Sequence, residues 1–452
     1  MLKFLRTVMS SSPKRVPIPA NGVDYRGKVV LAPMVRSGEL PSRLLALKYG
    51  ADLVWGPETI DKAMIGTSRR VNPRNGCIEF TRMPSNSVNR PDAKESIIYR
   101  LDPVREKGKL IFQMGTASPE LAVQAAKLVA ADVNGIDVNS GCPKPFSTSG
   151  GMGAALLRTP DKLVSILEAL VKEVGEPNQI GISVKIRLLE TPELTESLVY
   201  RLVRTGITGL TIHCRTTPMR PRERAIREQL RMIVKTCHDA GVACVMNGDV
   251  ASRDQALALM AEYGADGAMI ATAAEANSSC FRTEEEGGLL PWRDVVHAYV
   301  KFCIESENRF GNTKYLINML IPGKDKHFKT SKQAKCYADL CRILEYDDLV
   351  PAALVADDVL GLTERSVMNQ QRSQAVENAI ANNDTARAAG GATRSKPTST
   401  TTSGPGPIRT NNIPKPVKAE EKAADKPAEK AAEAPPEAAP APAPPQTQGV
   451  VA

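Results

Sequence analysis

Short apolar runs rich in β-branched residues alternate with amphipathic stretches over the first two thirds of the chain. Buried parallel strands separated by helices have this pattern. Eight runs of this kind occur: Val29–Met34, Asp52–Trp55, Lys109–Gly115, Gly135–Asn139, Ile182–Arg187, Leu210–His213, Ala243–Asn247 and Ala268–Ala271. Eight strands alternating with helices over about 250 residues predict an α/β protein with a TIM (β/α)8 barrel. A doubly wound open sheet is the alternative, but no Gly-x-Gly-x-x-Gly sequence follows the first strand.

Helix starts are marked by hydroxyl residues. Ser118, Thr159 and Thr191 are each followed by proline and then an acidic residue, and Ser252 precedes Gln255 by three positions. A hydroxyl N-cap, proline in the first turn and an acid near the positive end of the helix dipole all favour initiation. Four helices are therefore predicted to begin at these positions. Gly50 and Gly264 are predicted to end helices.

Composition changes along the chain predict four regions. A basic extension covers residues 1–23, the barrel covers 24–283, a small helical domain covers 284–362, and a low-complexity tail covers 363–452. Helices are expected over Trp292–Arg309, Lys314–Leu320 and Lys332–Glu345. The Arg-, Asn- and Pro-rich stretch Thr67–Ser96 is predicted to be irregular. The tail has too few large apolar residues to offset the entropy of ordering, so disorder is expected there.

The net charge and the cysteine pattern restrict the classes of function that the chain could have. The net charge is +9, and the tail from Thr363 onward holds 11 Lys/Arg against 9 Asp/Glu, so the remainder is also basic. Basic charge favours a polyanionic partner such as RNA, or a solvated surface. Nine cysteines without a Cys-x-x-Cys spacing argue against a disulfide framework or a metal site. No apolar run is long enough to span a membrane. We expect a monomer in the cytoplasm, with the nucleus as a second location; the basic N-terminus leaves mitochondrial targeting open.

The strand ends carry the candidate chemistry. Active residues of TIM barrels lie at the C-terminal ends of the strands. Polar and ionisable residues recur at these places: Glu58, Gln113, Asn139, Cys142, Lys185, Arg187, His213, Arg215, Asn247 and Asp249. Cys142 lies on a loop with Pro143 and several glycines, which makes its thiol a candidate acid or nucleophile. A cation inside a strand, as at Lys185, is costly unless it is paired.

The last two strand ends have the small residues of a phosphate site. Loops after strands seven and eight of such barrels often bind phosphate through backbone N–H groups. Asn247-Gly248-Asp249 and Ala271-Thr272 occupy these two places. An ordinary turn is the other interpretation of Asn-Gly-Asp.

Four motifs together resemble the tRNA-dihydrouridine synthases, and the match is dense from Val29 to Phe281. They are Leu31-Ala-Pro-Met34, Asp137-Val-Asn-Ser-Gly-Cys-Pro143, Gly150-Gly-Met-Gly-Ala-Ala-Leu-Leu157 and Val184-Lys-Ile-Arg187. The segments Cys142–Thr148 and Trp55–Lys62 are similar to the eukaryotic branch that modifies uridine 20 of the D-loop. The resemblance implies reduction of the uridine C5–C6 bond in tRNA, with FMN as cofactor and NADPH, or NADH, as electron source.

The resemblance also implies a role for each site residue. Pro33, Met34, Val35 and Gln113 would contact the flavin ring, Lys185 would lie near its N1/C2 edge, and His213 would help to hold it. The phosphate would be bound by Asn247, Gly248, Asp249, Ala271 and Thr272. Asn139, Arg187 and Arg215 would bind the substrate. Cys142 would protonate C5, and the helical domain at 284–362 would bind tRNA.

Two positions depart from the family pattern. Cys214 stands where the family often has glycine, and Thr272 stands where it often has arginine, which removes a cation from the phosphate site. Two other functions stay open at this stage: a flavin barrel that acts on a small pyrimidine, as dihydroorotate oxidoreductases do, and a non-catalytic RNA-binding barrel.

Overall fold

A closed ring of eight parallel strands forms the centre of the protein. The computed structural model describes residues 15–84, 95–220 and 222–363. The barrel strands are β1 (Lys28–Leu31), β2 (Leu53–Trp55), β7 (Leu110–Gly115), β8 (Gly135–Ser140), β9 (Gly181–Leu188), β10 (Gly209–Thr216), β11 (Ala243–Asn247) and β12 (Gly267–Ile270). β1 pairs with both β12 and β2, and β2 pairs with β7, so the sheet has no open edge. The predicted TIM barrel is confirmed, and the open sheet is wrong.

One further short strand lies between β2 and β7 in the sequence and pairs with the barrel. The two-residue strand β3 (Thr59–Ile60) also pairs with β7 in parallel. Glu58 lies in the short connection between β2 and β3 and is thereby fixed against the carboxyl end of β7. Parallel registers place the carboxyl ends of all eight barrel strands on one face, as at His213↔Asn247 and Asn139↔Lys185.

Helices surround the barrel and continue beyond it. Their bounds are α1 (Leu40–Lys48), α2 (Asp61–Met64), α3 (Pro119–Val129), α4 (Pro145–Thr148), α5 (Pro160–Leu170), α6 (Glu176–Asn178), α7 (Pro192–Leu202), α8 (Leu230–Asp239), α9 (Arg253–Tyr263), α10 (Thr272–Ala276), α11 (Trp292–Glu305), α12 (Phe310–Leu320), α13 (Lys326–Thr330), α14 (Tyr337–Leu344) and α15 (Val350–Val359). A π-helical turn, Val171–Gly175, joins α5 to α6. The longer 3-10 segments are Gly153–Arg158 and Ser278–Phe281.

Three of the four predicted N-caps act as caps. The side-chain oxygens of Ser118, Thr191 and Ser252 each accept a hydrogen bond from the backbone N–H three residues later. Thr159 makes no such bond, because its ψ of 63° is not the extended value of the other three caps. α5 therefore begins at Pro160 without side-chain capping. Gly264 ends α9 with a φ of +74°, as predicted.

The prediction of an irregular Thr67–Ser96 stretch was wrong. Two strands of an antiparallel sheet, β4 (Ser68–Val71) and β5 (Ile78–Arg82), lie within it, and the third strand, β6 (Ser96–Leu101), begins at its last residue. Its middle strand buries the Glu79 carboxylate, which forms ion pairs with Arg70 and Arg100. The many arginines of this stretch obscure its strand pattern, because they are partners of buried acids rather than loop residues.

The helical region is continuous with the barrel core. α11 packs against α1, and buried side chains of both belong to one apolar cluster with the barrel helices. The helix predicted over Lys332–Glu345 divides into a 3-10 turn and α14, and α15 was not predicted. Asp357 of α15 accepts from the Tyr337 and Ala338 N–H groups, so α15 caps α14.

Only part of the predicted terminal regions is described. Residues 1–14 of the basic extension and residues 364–452 of the predicted tail lie outside the described residues. Residues 15–23 contact the barrel: the Val16 N–H donates to the Gly241 carbonyl, and the Asn21 N–H donates to the Gln179 carbonyl. These contacts lie at the amino-terminal end of the barrel strands, opposite to the candidate site.

Candidate active site

A cavity of about 670 Å³ opens at the carboxyl ends of the barrel strands. All fifteen residues to which the resemblance gave a role line it: Pro33, Met34, Val35, Gln113, Asn139, Cys142, Lys185, Arg187, His213, Arg215, Asn247, Gly248, Asp249, Ala271 and Thr272. Their convergence follows from the barrel, because the ends of all parallel strands meet at one face. The lining also includes groups to which sequence analysis gave no role, among them Glu58, Glu275, Tyr315 and Met319.

The thiol of Cys142 is held at the cavity by a tight turn. The Asn139 Oδ1 accepts hydrogen bonds from the Gly141 and Cys142 N–H groups, each at 3.0 Å. Of the nine cysteines, Cys142 is half-buried and the other eight are buried. Burial raises the pKa of the Cys142 thiol, and the nearby Glu58 carboxylate also raises it. The thiol is therefore reachable from the cavity and holds its proton at neutral pH.

A hydrogen-bonded carboxylate lies beneath the cavity floor. The Gln113 Nε2 donates to Asp137 Oδ2 at 2.8 Å, and the Ser183 hydroxyl donates to Asp137 Oδ1 at 2.7 Å. Gln113 Oε1 in turn accepts from the Asn139 Nδ2 at 3.4 Å. Burial raises the Asp137 pKa to about 6, against the lowering effect of these donors and of Lys185. Asp137 thus fixes the orientation of the Gln113 amide. The sequence signal for it was an aspartate within an apolar strand.

Several cationic groups meet on β9 and β10. Burial, followed by the charge of Arg187, lowers the pKa of Lys185 to about 8. Arg187 donates to the carbonyl oxygens of Gly141 at 2.7 Å and Thr216 at 3.0 Å, so it joins the Cys142 loop to β10. This concentration of positive charge suits a ligand that carries or develops negative charge.

His213 is neutral in this setting. Burial and the charges of Lys185, Arg187 and Arg215 lower its pKa to about 2. Its Nε2 lies 3.2 Å from Arg215 Nη1. Because a guanidinium can only donate, Nε2 must accept this bond, which leaves the ring proton on Nδ1.

The end of the cavity formed by β11 and β12 has free backbone donors. Gly248 has a φ of +122°, and a Cβ there would lie 3.2 Å from the Ala225 Cβ. Among the described residues, no protein acceptor pairs with the N–H groups of Gly248, Asp249 or Thr272. The Asp249 carboxylate pairs with Arg215 and accepts from the Ala225 N–H. Only the backbone of Asp249 is therefore suited to an anion, and Arg215 is occupied by protein contacts.

The helical region supplies one wall of the cavity. Tyr315 and Met319 on α12 line it, and the Arg36 guanidinium lies 4.2 Å from the centre of the Tyr315 ring. Arg36 has a left-handed φ of 71°, an uncommon conformation for a residue with a side chain. The sequence does not indicate this wall, because nothing local connects α12 to the loop after β1.

Basic residues on the surface fall into two groups, exposed lysines around α13 and arginines that form ion pairs with protein carboxylates. Five lysines around α13 are exposed: Lys324, Lys326, Lys329, Lys332 and Lys335. In the antiparallel sheet, by contrast, Arg69 pairs with Asp132, Arg70 with Glu79 and Arg74 with Glu307. The sheet arginines are thus largely neutralised by protein partners. His327, which lies among the lysines, is buried and bonded to Asp325.

Two kinds of site were not found in the described part of the chain. No group of three or more His, Cys, Asp or Glu side chains there could hold a metal ion. Within residues 15–84, 95–220 and 222–363, no helix combines the length and the apolar character needed to cross a membrane.

Comparison with known proteins identifies similar sequences. The model of the dihydrouridine synthase (Dus) family matches residues 30–308. The tRNA-dihydrouridine(20) synthase (NAD(P)+) of Schizosaccharomyces pombe is 51% identical over 330 residues, which cover 72% of this chain and 66% of that protein. The Saccharomyces cerevisiae protein of the same name is 44% identical over 330 residues, which cover 72% of this chain and 84% of that protein. This chain thus spans slightly less than two thirds of the fission yeast relative.

Solved structures are more distant. A crystal structure of DHODH from Eimeria tenella aligns with a TM-score of 0.36 and 14% identity, over 54% of this chain and 76% of that protein. This likeness is too low to support a functional argument.

Proposed function

This chain belongs to the dihydrouridine synthase family, and from that premise we propose that it reduces the C5–C6 double bond of a uridine in tRNA. The proposed target is uridine 20 of the D-loop, after the names of the two yeast relatives. The proposed cofactor is FMN, and NADPH or NADH is the proposed electron source. The observation that carries the proposal is the half-buried Cys142 thiol, which shares one cavity with Lys185 and Asn139.

The cavity has features that suit FMN. The unpaired N–H groups of Gly248, Asp249 and Thr272 are donors of the kind that bind a phosphate. A side chain at Gly248 would crowd the neighbouring wall, so glycine there keeps the backbone approachable. Lys185 is a buried cation with a lowered pKa that lines the same cavity as Gln113 and Asn139, where it would favour an anionic, reduced ring. When bound, FMN would supply the hydride that C6 of the uracil accepts.

The protein's own groups would handle the proton. As C6 gains a hydride, C5 becomes basic, and a general acid must protonate it. Cys142 meets this need because burial raises its pKa above that of an ordinary thiol. Asn139 has less freedom than the sequence implied, since its Oδ1 already holds the Cys142 loop. Its Nδ2 amide, which carries a second N–H beyond the one that donates to Gln113 Oε1, is the part available to the uracil.

Charge on the exterior favours tRNA as the substrate over a small pyrimidine. The exposed lysines around α13 lie in the same helical region that forms the Tyr315 wall of the cavity. A small substrate would not need a basic surface of this kind, whereas tRNA phosphates bind to one.

The decisive experiment uses an unmodified tRNA transcript. We expect the purified protein to absorb as a flavoprotein and, with NADPH, to convert one uridine of the transcript to dihydrouridine, detected as a gain of two hydrogens by mass spectrometry. A transcript with cytidine at position 20 should give no product. Cys142→Ala should lose roughly 10²–10⁴-fold in rate and still bind cofactor and tRNA, whereas Cys214→Ala should stay active.

Other results would refute parts of the proposal. Reduction of a free pyrimidine but not of tRNA would support a small-molecule oxidoreductase instead. A colourless protein that binds tRNA without reducing it would support a non-catalytic RNA-binding barrel. A product at another uridine would retain the reaction and reject position 20.

A further inference from the structure

Glu58 is a carboxylate at the cavity to which no role has yet been given. It lies between β2 and β3, and its Oε1 accepts a hydrogen bond from the Ser147 hydroxyl at 2.8 Å. Its Oε2 is buried and makes no hydrogen bond within the described structure. A buried carboxylate oxygen without a hydrogen-bond partner is unfavourable, because the loss of its hydration is not compensated. A purely structural role would be served as well by a neutral amide.

The surrounding backbone leaves room for this carboxylate. A Cβ at Gly115, the last residue of β7, would lie only 2.6 Å from Glu58 Oε1. Ser147 is itself buried in α4, on the loop that follows Cys142. Glu58 is therefore held between the end of β7 and the loop that carries the thiol.

The carboxyl group and the thiol influence each other. Burial raises the Glu58 pKa, while Ser147, Cys142 and Asn139 lower it by hydrogen bonding, although neither Cys142 nor Asn139 reaches full hydrogen-bond geometry with Oε2. The Glu58 charge in turn raises the Cys142 pKa. Three cations also act on the thiol: Lys144 on its own loop, and Lys185 and Arg187 on β9.

We propose that Glu58 is a positioning residue that keeps the Cys142 thiol protonated and returns a proton to it after each turnover. This inference rests on the proposed function, because it assigns a partner to the general acid of that reaction.

The proton balance is simple. The Cys142 S–H bond breaks as the new C–H bond at C5 forms, which leaves a thiolate on the enzyme. The Glu58 carboxylate then takes a proton from water in the open cavity and passes it to that sulfur, so the thiol is restored and the carboxylate remains. Hydride delivery to C6 accounts for both electrons, and no further oxidant or reductant is needed.

The test measures the ionisation of Cys142 directly and needs no tRNA. Iodoacetamide reacts with the thiolate, so its rate of reaction with Cys142 in the cofactor-bound protein, followed by peptide mass spectrometry, reports the thiol pKa. The other eight cysteines are buried, and Cys142→Ala gives the background. In Glu58→Gln the carboxylate charge is lost, so we expect the midpoint of alkylation to fall by about one pH unit.

A matched control exists in the same cavity. Glu275 also lines the cavity and also accepts a hydrogen bond from a serine, Ser37, but its charge is not among the main influences on the pKa of the Cys142 thiol. Glu275→Gln should leave the alkylation midpoint unchanged. Gly115→Ala provides a second variant, because its methyl group would displace the Glu58 carboxylate without removing the charge. It should shift the midpoint away from the wild-type value.

Turnover gives the second readout. Single-turnover reduction of tRNA at low pH, where the thiol begins protonated, should be nearly normal in Glu58→Gln. Steady-state turnover should fall about tenfold or more, and a small buffer acid should restore it in part. A structural role for Glu58 would instead slow both rates equally and give no rescue.

The outcomes separate this inference from the proposed function. An unchanged alkylation midpoint in Glu58→Gln and Gly115→Ala, or equal loss of both rates, would overturn the role of Glu58 while tRNA reduction by the wild type stands. The midpoint could also shift in the two variants while the wild-type protein reduces no tRNA. That result would support the Glu58–Cys142 coupling and reject the proposed reaction.

Discussion

Replacing Lys185 by methionine should stabilise the protein without cofactor and weaken its hold on the cofactor. Lys185 lies in β9, and burial and the Arg187 charge lower its pKa from 10.5 to about 8. A difference of one in pKa corresponds to about 1.4 kcal/mol, so the charged lysine costs roughly 3 kcal/mol of folding free energy at neutral pH. Methionine has a similar length and no charge to desolvate.

The neighbouring Asp137 reduces this gain. Lys185 lowers the Asp137 pKa, so its removal makes that buried carboxylate less stable. The loss is modest, because the hydrogen bonds from Gln113 and Ser183 have larger effects on Asp137 than Lys185 has. We therefore expect Lys185→Met to stabilise the protein by about 1–3 kcal/mol at pH 7.

The pH dependence of the free energy of unfolding tests independently whether Lys185→Met is stabilising. Below pH 8 the lysine is protonated in both the folded and the unfolded states, and the full cost of burying its charge is present. As pH rises from about 8 through about 10.5, the folded protein loses the proton first, so the cost disappears. The advantage of the variant over the wild type should therefore shrink over this range.

Two unfolding measurements and one binding titration, all on cofactor-free protein, test this prediction. Urea unfolding at pH 7 and at pH 10 should show a higher midpoint for Lys185→Met at the lower pH and a smaller difference at the higher pH. Equilibrium titration with FMN should show weaker binding to the variant. A variant that is less stable at pH 7, or equally avid for FMN, would refute the reasoning that this cation is kept for the ligand at a cost in stability.

Two further predictions concern the exterior of the barrel. Replacing Lys324, Lys326, Lys329 and Lys332 together by glutamine should reduce the salt dependence of tRNA binding, by roughly 0.7–0.9 in the log–log slope for each lost phosphate contact; an unchanged slope would assign tRNA binding to another surface. The Glu307 carboxylate accepts from Asn72 and Arg74, so Glu307→Ala should destabilise the protein by about 1–3 kcal/mol, measured by thermal unfolding. Glu305→Ala, which breaks an exposed pair with Arg105, is the control and should cost roughly 0–1 kcal/mol. Burial raises the Glu307 pKa, but the Arg74 and Asn72 hydrogen bonds outweigh it and lower the pKa, so the stabilising effect of Glu307 should be lost as pH falls through its folded-state pKa.

The fold of the barrel was predictable because its signals are local. Each strand is a short apolar run, and Ser118, Thr191 and Ser252 cap the helices that they begin. Once eight parallel strands are assigned, closure of the barrel brings their ends together, so the location of Cys142, Lys185 and His213 around one cavity follows from strand order. Thr159 shows the limit of such signals, since the right residue type there makes no cap.

What the sequence could not determine depends on partners that are remote along the chain. Arg215 and Asp249 both appeared to be ligand-binding residues, yet they pair with each other. The arginines of Thr67–Ser96 were assigned to an irregular stretch, yet they pair with buried or distant acids. Tyr315 lies more than 270 residues beyond Arg36, on which it packs. Local sequence determines which segments form strands and helices, because propensity and patterning act over a few residues. Tertiary structure alone decided which charges are already paired and which remain for a ligand, because pairing and burial depend on the packing of segments far apart in sequence.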